Sequence, residues 1–211
     1  LFFAVTGYVL SVSWDSSNIT NFGSYLFLKL FDKISGNLFG ILLYVVMTYL
    51  LWFMGIHGTN TLEAVSRHLF EQNVEINQSL VLAGHIPTEI FSKTFLDTFV
   101  FIGGCGTALS FVLALYIASK QSHNRKMSFV ALPSALFNIS EIAVFGFPII
   151  FNLTMLIPFI LTPVILTLIS ASAIKTGLVP AVTQSVEWTI PVLLSGYQAT
   201  GSVSGSLLRW K

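Results

Sequence analysis

Long apolar stretches alternate along this chain with short segments that hold most of its charged residues. The longest apolar runs cover residues 38–56, 95–118 and 153–172. A helix needs about 20 mostly apolar residues to cross a bilayer core of about 30 Å. Each run therefore predicts a membrane-crossing segment, and residues 1–14 predict the end of a further membrane helix.

The composition agrees with this pattern. Hydrophobic residues make up 54% of the 211 residues and charged residues only 9%, whereas soluble domains contain about 25% charged residues. The net charge of +1 gives no basic field for nucleic acid. The single cysteine, Cys105, excludes an intramolecular disulfide, and the histidine spacing predicts no metal site and no cofactor. We predict an all-α integral membrane protein.

Three shorter segments have a different character. Residues 24–35 alternate apolar and charged positions at helical spacing, which predicts an amphipathic helix at the membrane interface. Residues 60–94 form a polar, partly helical insertion. Residues 120–126, KQSHNRK, form a short basic loop that the positive-inside rule places in the cytoplasm. We expect residues 1–37 to form one unit and residues 38–211 the multi-span unit.

Several spans contain helix breakers. Glycines crowd the apolar run at Gly103–Gly106, and prolines flank the segment Leu132–Ile150. Such segments predict broken helices or re-entrant hairpins, because irregular backbone at membrane depth must be buried in protein or line a cavity. Residues 176–189 predict another short or re-entrant element. The Gly201-xxx-Gly205 spacing predicts close helix packing.

Two ionisable side chains stand out against the apolar background. Glu141 lies within the apolar segment 137–152, where a carboxylate costs several kcal/mol without a partner or a wet cavity. It suits a role in binding hydroxyl groups, or a structural pair with a base such as Arg125. His57 follows an uncharged span and suits either proton transfer to and from a sugar hydroxyl or a plain interfacial position.

Other candidates have simpler alternatives. Trp188 offers a flat face for a sugar ring or serves as an interface anchor, and Glu187 beside it is another polar contact. The Gly103–Gly106 run could present backbone N–H groups to a phosphate, although helix packing is the simpler interpretation.

Five ordered motifs carry a family resemblance. They are WFMGIHGTN (52–60), FLDTFVFIGGCGTAL (95–109), FNISEIAVFGFPIIFN (137–152), IPF (157–159) and VEWTIP (186–191). Together they resemble the C-terminal half of the membrane (IIC) component of bacterial phosphotransferase-system permeases, in the lactose, cellobiose and chitobiose group. One departure is Ser140-Glu141-Ile142, where the family has Asn-Glu-Pro.

The resemblance implies a multi-span helical transporter whose substrate-binding half is residues 38–211. It implies uptake of a disaccharide, β-linked, across the cytoplasmic (inner) membrane, coupled to phosphorylation by a cysteine of a IIB partner domain, in a homodimer. His57 would sit at the hydroxyl that receives phosphate, whereas Glu141, Asn138 and Trp188 would bind the sugar.

Two other functions are open at this stage. A IIC-like domain could instead sense a sugar and signal to a fused cytoplasmic domain, such as one acting on a cyclic dinucleotide. A channel is a weaker alternative, because the chain lacks a charged ring that would line a pore.

Overall fold

A computed structural model describes residues 28, 29, 31 and 37–210 of the chain, and every regular element within that part is a helix. The helices are α1 (Leu38–Phe53), α2 (Gly58–Thr61), α3 (Glu63–Ser66), α4 (Gln72–Leu82), α5 (Lys93–Phe95), α6 (Ala108–Ala118), α7 (Ser122–Leu136), α8 (Glu141–Gly146), α9 (Leu153–Lys175), α10 (Val192–Thr200) and α11 (Val203–Trp210). Two π-helical turns (Arg67–Glu71 and Leu96–Val100) and a 3-10 turn (Cys105–Thr107) join some of them. The predicted interfacial helix over residues 24–35 lies almost wholly outside the described residues, as do residues 1–14.

Helix α1 starts at a side-chain cap and ends at a glycine turn. The Asn37 side chain accepts a hydrogen bond from the Gly40 N–H at 2.8 Å. Gly55 then takes a positive φ of 79° and reverses the chain. The helix has 16 residues, or about 24 Å at 1.5 Å per residue. It is therefore shorter than the predicted 38–56 span.

The predicted break at the glycine run is present. Helical structure from Lys93 stops after Val100, and the chain resumes a helical path only at Cys105. Gly103 and Gly104 both have positive φ in the break, at 73° and 86°. Within the described residues, the segments Lys93–Ala118 and Leu153–Lys175 are long and apolar enough to cross a membrane. Only the second is one continuous helix.

Helix α9 presents an apolar face to its surroundings. Leu153, Ile157, Leu161 and Ile165 recur every four residues and are all exposed, so they lie along one side of the helix. Its 23 residues span about 35 Å. A mostly apolar helix of this length is long enough to cross the hydrocarbon core of a bilayer.

The predicted hairpin over Leu132–Ile150 differs in detail. Helix α7 continues through Pro133 and ends at Leu136, and α8 begins after a break at residues 137–140. Pro133 removes one backbone hydrogen bond, but the small residues Ala131 and Ala135 on either side are fully buried. Tight packing around the proline thus keeps the helix intact.

Three further segments differ in detail from what the sequence predicts. The basic segment 120–126 is not all loop, because α7 already begins at Ser122. Residues 177–191 contain no helix and run as irregular chain. The close approach near the C-terminus joins Gly196 of α10 to Gly205 of α11, where a Cβ on Gly196 would lie 2.5 Å from the Gly205 carbonyl oxygen. Gly201 instead forms the turn between these helices, with φ 66°.

An aromatic core holds α1 against its neighbours. The Tyr49 ring packs on Phe159 of α9 with centroids 5.3 Å apart, and the Tyr44 ring packs on Phe70 at 5.6 Å. All four rings are buried. This packing fixes the C-terminal end of α1, from which the chain enters the candidate site.

Candidate functional site

The four residues predicted from sequence, His57, Asn138, Glu141 and Trp188, line one cavity of about 320 Å³. They come from three separate stretches of the chain. The remaining lining residues are Tyr44, Thr48, Tyr49, Trp52, Thr59, Asn60, Glu63, Ser66, Lys93, Leu96, Asp97, Phe101, Gly104, Cys105 and Ser140. Glu187 is not among them.

His57 sits where the chain turns from α1 into α2. Its Nδ1 accepts a hydrogen bond from the Asn60 backbone N–H at 3.3 Å and lies 3.2 Å from the Thr59 hydroxyl. An acceptor nitrogen needs a lone pair, so the neutral ring carries its proton on Nε2. Gly58 allows this turn, because a Cβ there would lie 2.1 Å from the Thr48 carbonyl oxygen of α1.

Glu141 faces His57 across the cavity. Its Oε1 lies 3.6 Å from His57 Nε2, and both side chains are partly exposed. The other oxygen, Oε2, is buried and has no hydrogen-bond partner within the described part of the chain. The pair that sequence reasoning suggested with Arg125 does not form, because Arg125 instead lies over the Tyr116 ring. Glu141 thus lines the cavity and carries one acceptor that no described protein group uses.

Two tryptophans contribute to the walls. The Trp52 ring lies 4.3 Å from the His57 ring, centroid to centroid, and the planes are tilted by 49°. Its Nε1–H is buried with no hydrogen-bond partner among the described residues. The Trp188 side chain is half-exposed. The cavity therefore has two indole faces and one unused donor in addition to the unused acceptor.

Asn138 lines the cavity, but its amide already bonds to the protein at every position. The side-chain Nδ2 donates to the carbonyl oxygens of Trp188 (2.5 Å) and Ile190 (3.1 Å). Its Oδ1 accepts from the Gly103 N–H (2.9 Å) and from Arg209 Nη2 (3.0 Å). An amide has two donor hydrogens and two acceptor lone pairs, so none is left for a ligand. Asn138 ties the Trp188 loop to the glycine break.

The glycine break packs directly against the segment that carries Glu141. A Cβ on Gly104 would lie 2.5 Å from the Asn138 carbonyl oxygen, and the Cys105 N–H donates to the Ser140 hydroxyl at 3.0 Å. The N–H groups of Gly103 and Cys105 are thus bonded inside the protein. This observation favours packing over phosphate binding as the role of the glycine run.

Arg209 was missed by sequence reasoning. Its guanidinium is buried, donates to the Ser195 hydroxyl as well as to Asn138, and leaves Nε without a partner among the described residues. Burial lowers the pKa of Arg209 to about 10, while the charge of Asp97 opposes the shift. The guanidinium stays charged at neutral pH. No sequence pattern marked Arg209 as part of the site, because the residues that it contacts are distant in sequence.

Lys93 and Asp97 were also missed, although a signal was present. Lys93 Nζ donates to Asp97 Oδ2 at 2.8 Å, and both residues line the cavity. The pair has i,i+4 spacing at the head of an apolar run. Charges that enter a membrane-like segment in this way indicate a wet or paired site.

Comparison with known proteins shows which family the chain belongs to. The model of the family described as "Phosphotransferase system, EIIC" matches residues 1–163. The chain belongs to the EIIC family of the phosphotransferase system. This finding confirms the resemblance drawn from the five motifs, and the integral membrane fold follows from it.

The relatives of this EIIC chain include named permease components. It is 35% identical over 179 residues to the lichenan permease IIC component of Bacillus subtilis, covering 83% of this chain and 39% of that protein. It is 32% identical over 194 residues to the cellobiose-specific EIIC component of Geobacillus stearothermophilus, covering 90% of this chain and 43% of that one.

A solved structure supports the fold. The crystal structure of ChbC, the IIC component of the N,N'-diacetylchitobiose-specific phosphotransferase system, aligns with a TM-score of 0.81 and 28% identity. The alignment covers 98% of this chain and 48% of ChbC. This EIIC chain therefore spans less than half the length of these relatives. The predicted all-helical transporter fold with broken helices is confirmed.

Proposed function

We propose that this chain forms the substrate-binding half of a sugar permease that takes up a β-linked disaccharide and presents it for phosphorylation. The observation that carries the proposal is the Glu141 carboxylate opposite His57, which is partly exposed and keeps one oxygen, the buried Oε2, without a hydrogen-bond partner among the described residues. A buried acceptor left unpaired costs about 1–3 kcal/mol. When the carboxylate turns this oxygen towards the cavity, a sugar hydroxyl can donate to it and remove that cost.

The rest of the cavity suits a sugar as well. Its volume of about 320 Å³ lies at the lower end of the range of about 300–1,000 Å³ for small-molecule sites. The indoles of Trp52 and Trp188 offer apolar faces for the C–H faces of a sugar ring. The unpartnered Trp52 Nε1–H offers a donor to a ring or hydroxyl oxygen.

The hydrogen bonds of His57 support a proton transfer to Glu141 in place of the sequence expectation that His57 takes the hydroxyl proton. Nδ1 accepts from the Asn60 N–H, so Nε2–H is a donor, 3.6 Å from Glu141 Oε1 and available to a substrate oxygen. Glu141 is then the group with free lone pairs. In the proposed step a new P–O bond forms at the sugar hydroxyl, the P–S bond to the donor cysteine breaks, and the hydroxyl proton passes to Glu141. His57 orients the reacting oxygen, in line with the importance of positioning in phosphoryl transfer.

The partners follow from the family and belong to the proposal. The phosphoryl donor is a IIB domain, the location is the bacterial cytoplasmic membrane, and the assembly is a homodimer. Relatives named "lactose-specific EIICB component" match this chain, among them one from Streptococcus mutans with 28% identity over 188 residues. No observation favours the sensor alternative over transport.

Phosphorylation-coupled uptake tests the proposal. The full-length protein is reconstituted in vesicles with its IIB domain and labelled cellobiose, as wild type and as His57→Gln and Glu141→Gln. Loss of a general base lowers rates by about 10²–10⁴-fold, so Glu141→Gln should abolish measurable sugar phosphate, and His57→Gln should lower it strongly.

Exposed residues outside the cavity provide matched controls. His85→Gln and Glu75→Gln make the same chemical changes at positions that do not line it, and both should retain wild-type uptake. Wild-type rates for His57→Gln and Glu141→Gln together would reject the assignment of the reaction to this cavity.

A further inference from the structure

A second, separate feature is a basic cleft beside the α6–α7 hairpin. Its lining residues are Tyr116, Lys120, Ser122, Arg125, Lys126, Phe129 and Val130. Three of the seven are cationic and none is acidic. None of the seven lines the cavity of His57 and Glu141.

The cations of this cleft are not neutralised by neighbouring acids. No carboxylate of the described residues lies within 4 Å of Lys120, Arg125 or Lys126. The Arg125 guanidinium lies over the Tyr116 ring at 5.8 Å from its centroid. Stacking on an aromatic face leaves the N–H edge of a guanidinium free, and this edge matches the oxygens of a phosphate group.

The start of α7 adds further donors. The N-cap residue, Gln121, makes no side-chain capping hydrogen bond, and Ser122 of the first turn lines the cleft. The first N–H groups of a helix lack intrahelical acceptors and carry a partial positive charge. At this helix start they reinforce the three cationic side chains.

The cleft changes from basic to apolar along α7. Phe129 follows Arg125 by four residues, or about 6 Å along the helix axis, so both lie on one face. Phe129 is 65% exposed and Val130 59% exposed. On α6, Ile117 next to Tyr116 is 78% exposed. Basic groups thus lie at the hairpin turn, and uncovered apolar groups lie one helical turn further into the hairpin.

We propose that this cleft binds an anionic phospholipid, with the phosphate of the headgroup on Arg125, Lys126 and Lys120 and an acyl chain along Phe129 and Val130. The positive charge of the cleft, and the order of its basic and apolar groups along α7, favour a phospholipid as the ligand. The basic loop at this turn is cytoplasmic by the positive-inside rule, and the cytoplasmic leaflet contains the anionic lipids. A free phosphate ion would leave the exposed Phe129 and Val130 side chains without a contact, whereas a phospholipid covers both halves of the cleft.

Native mass spectrometry of the detergent-solubilised full-length protein tests the proposal. Phosphatidylglycerol and phosphatidylcholine are titrated separately, and the number of retained lipids is counted for each variant. Each basic residue near an anionic surface contributes about fivefold in affinity, so Arg125→Gln with Lys126→Gln should weaken phosphatidylglycerol binding by about 25-fold. The charge-conserving exchange Arg125→Lys with Lys126→Arg should retain most of the binding.

Control variants separate the possible ligands. Lys175→Gln removes a cation from the last turn of α9 and should change the affinity by less than about twofold. Phe129→Ala should weaken phosphatidylglycerol binding but leave competition by inorganic phosphate unchanged, because phosphate has no acyl chain. Sugar binding measured on the same samples should be unchanged in every cleft variant, which shows that each is folded.

Three results would overturn the proposal. The first is unchanged phosphatidylglycerol retention in the Arg125→Gln, Lys126→Gln protein. The second is equal retention of phosphatidylcholine by the wild type. The third is loss of IIB docking in that double variant with lipid binding intact, which would assign the cleft to a protein partner.

Discussion

The Asn138 amide offers the sharpest test of how the site is held together, and Asn138→Asp is the change to make. The substitution keeps the side-chain size and one acceptor oxygen for Gly103 and Arg209. It replaces the Nδ2 donor with an oxygen that faces the carbonyls of Trp188 and Ile190, at 2.5 and 3.1 Å in the wild type. The acceptor half of the network is thus retained and the donor half is lost.

The size of the effect follows from these bonds. Two carbonyl groups lose their donor, at about 1–3 kcal/mol each. The existing hydrogen bond from Arg209 Nη2 then has a charged acceptor, which offsets on the order of 1 kcal/mol of this loss. The net loss of stability should therefore be about 1–5 kcal/mol, and the Trp188 loop moves away from the cavity. We expect sugar affinity to fall at least tenfold.

The assay combines thermal unfolding and calorimetric sugar titration on the full-length protein. Asn73→Asp is the matched control, because Asn73 Nδ2 also donates to a carbonyl oxygen, that of Phe91 at 2.6 Å, but lies outside the cavity. It should lose about 1–3 kcal/mol of stability, because one carbonyl group loses its donor, and it should keep its sugar affinity. Wild-type sugar affinity in Asn138→Asp would refute the claim that Asn138 positions the Trp188 loop.

Three other predictions follow from the same geometry. Gly104→Ala should lower the unfolding temperature by well over 5 °C, because the new Cβ would clash with the Asn138 carbonyl oxygen. Gly177 has a similar positive φ but lies in open space, so Gly177→Ala should lower the stability by only about 1–2 kcal/mol. Gly58→Ala should abolish uptake, because the new Cβ would push the His57 turn away from the Thr48 carbonyl oxygen. Uptake by a folded Gly58→Ala protein would disprove this role of Gly58. Trp52→Phe removes an Nε1–H that has no protein partner among the described residues, so sugar affinity should fall about three- to tenfold with stability nearly unchanged. An unchanged affinity would exclude this donor from sugar contact.

Sequence reasoning identified the residues that are chemically conspicuous. Glu141 and His57 stand out because ionisable groups are rare in apolar surroundings, and the structure brings them to 3.6 Å of each other. The glycine break was also predictable, since several glycines cannot continue a membrane helix without cost. Local composition therefore singled out Glu141 and His57, and the family resemblance added Asn138 and Trp188.

The network behind the cavity could not be predicted, because it depends on contacts between distant segments. Asn138 bonds to Arg209, 71 residues away, and no local pattern distinguishes an amide that is fully bonded from one that is free. Pro133 was taken as a helix boundary, whereas the packing of Ala131 and Ala135 keeps α7 continuous. Tertiary packing overrides local propensity at both positions.

Sugar binding to the purified full-length protein tests the central claim most directly. Cellobiose and an α-linked disaccharide are titrated by calorimetry against wild type, Glu141→Gln and the exposed control Glu75→Gln. The account predicts that the wild type and Glu75→Gln bind the β-linked sugar and that Glu141→Gln loses at least tenfold in affinity, because its Oε2 is the unpartnered acceptor of the cavity. Equal affinity of Glu141→Gln and wild type would contradict the assignment of this cavity as the sugar site.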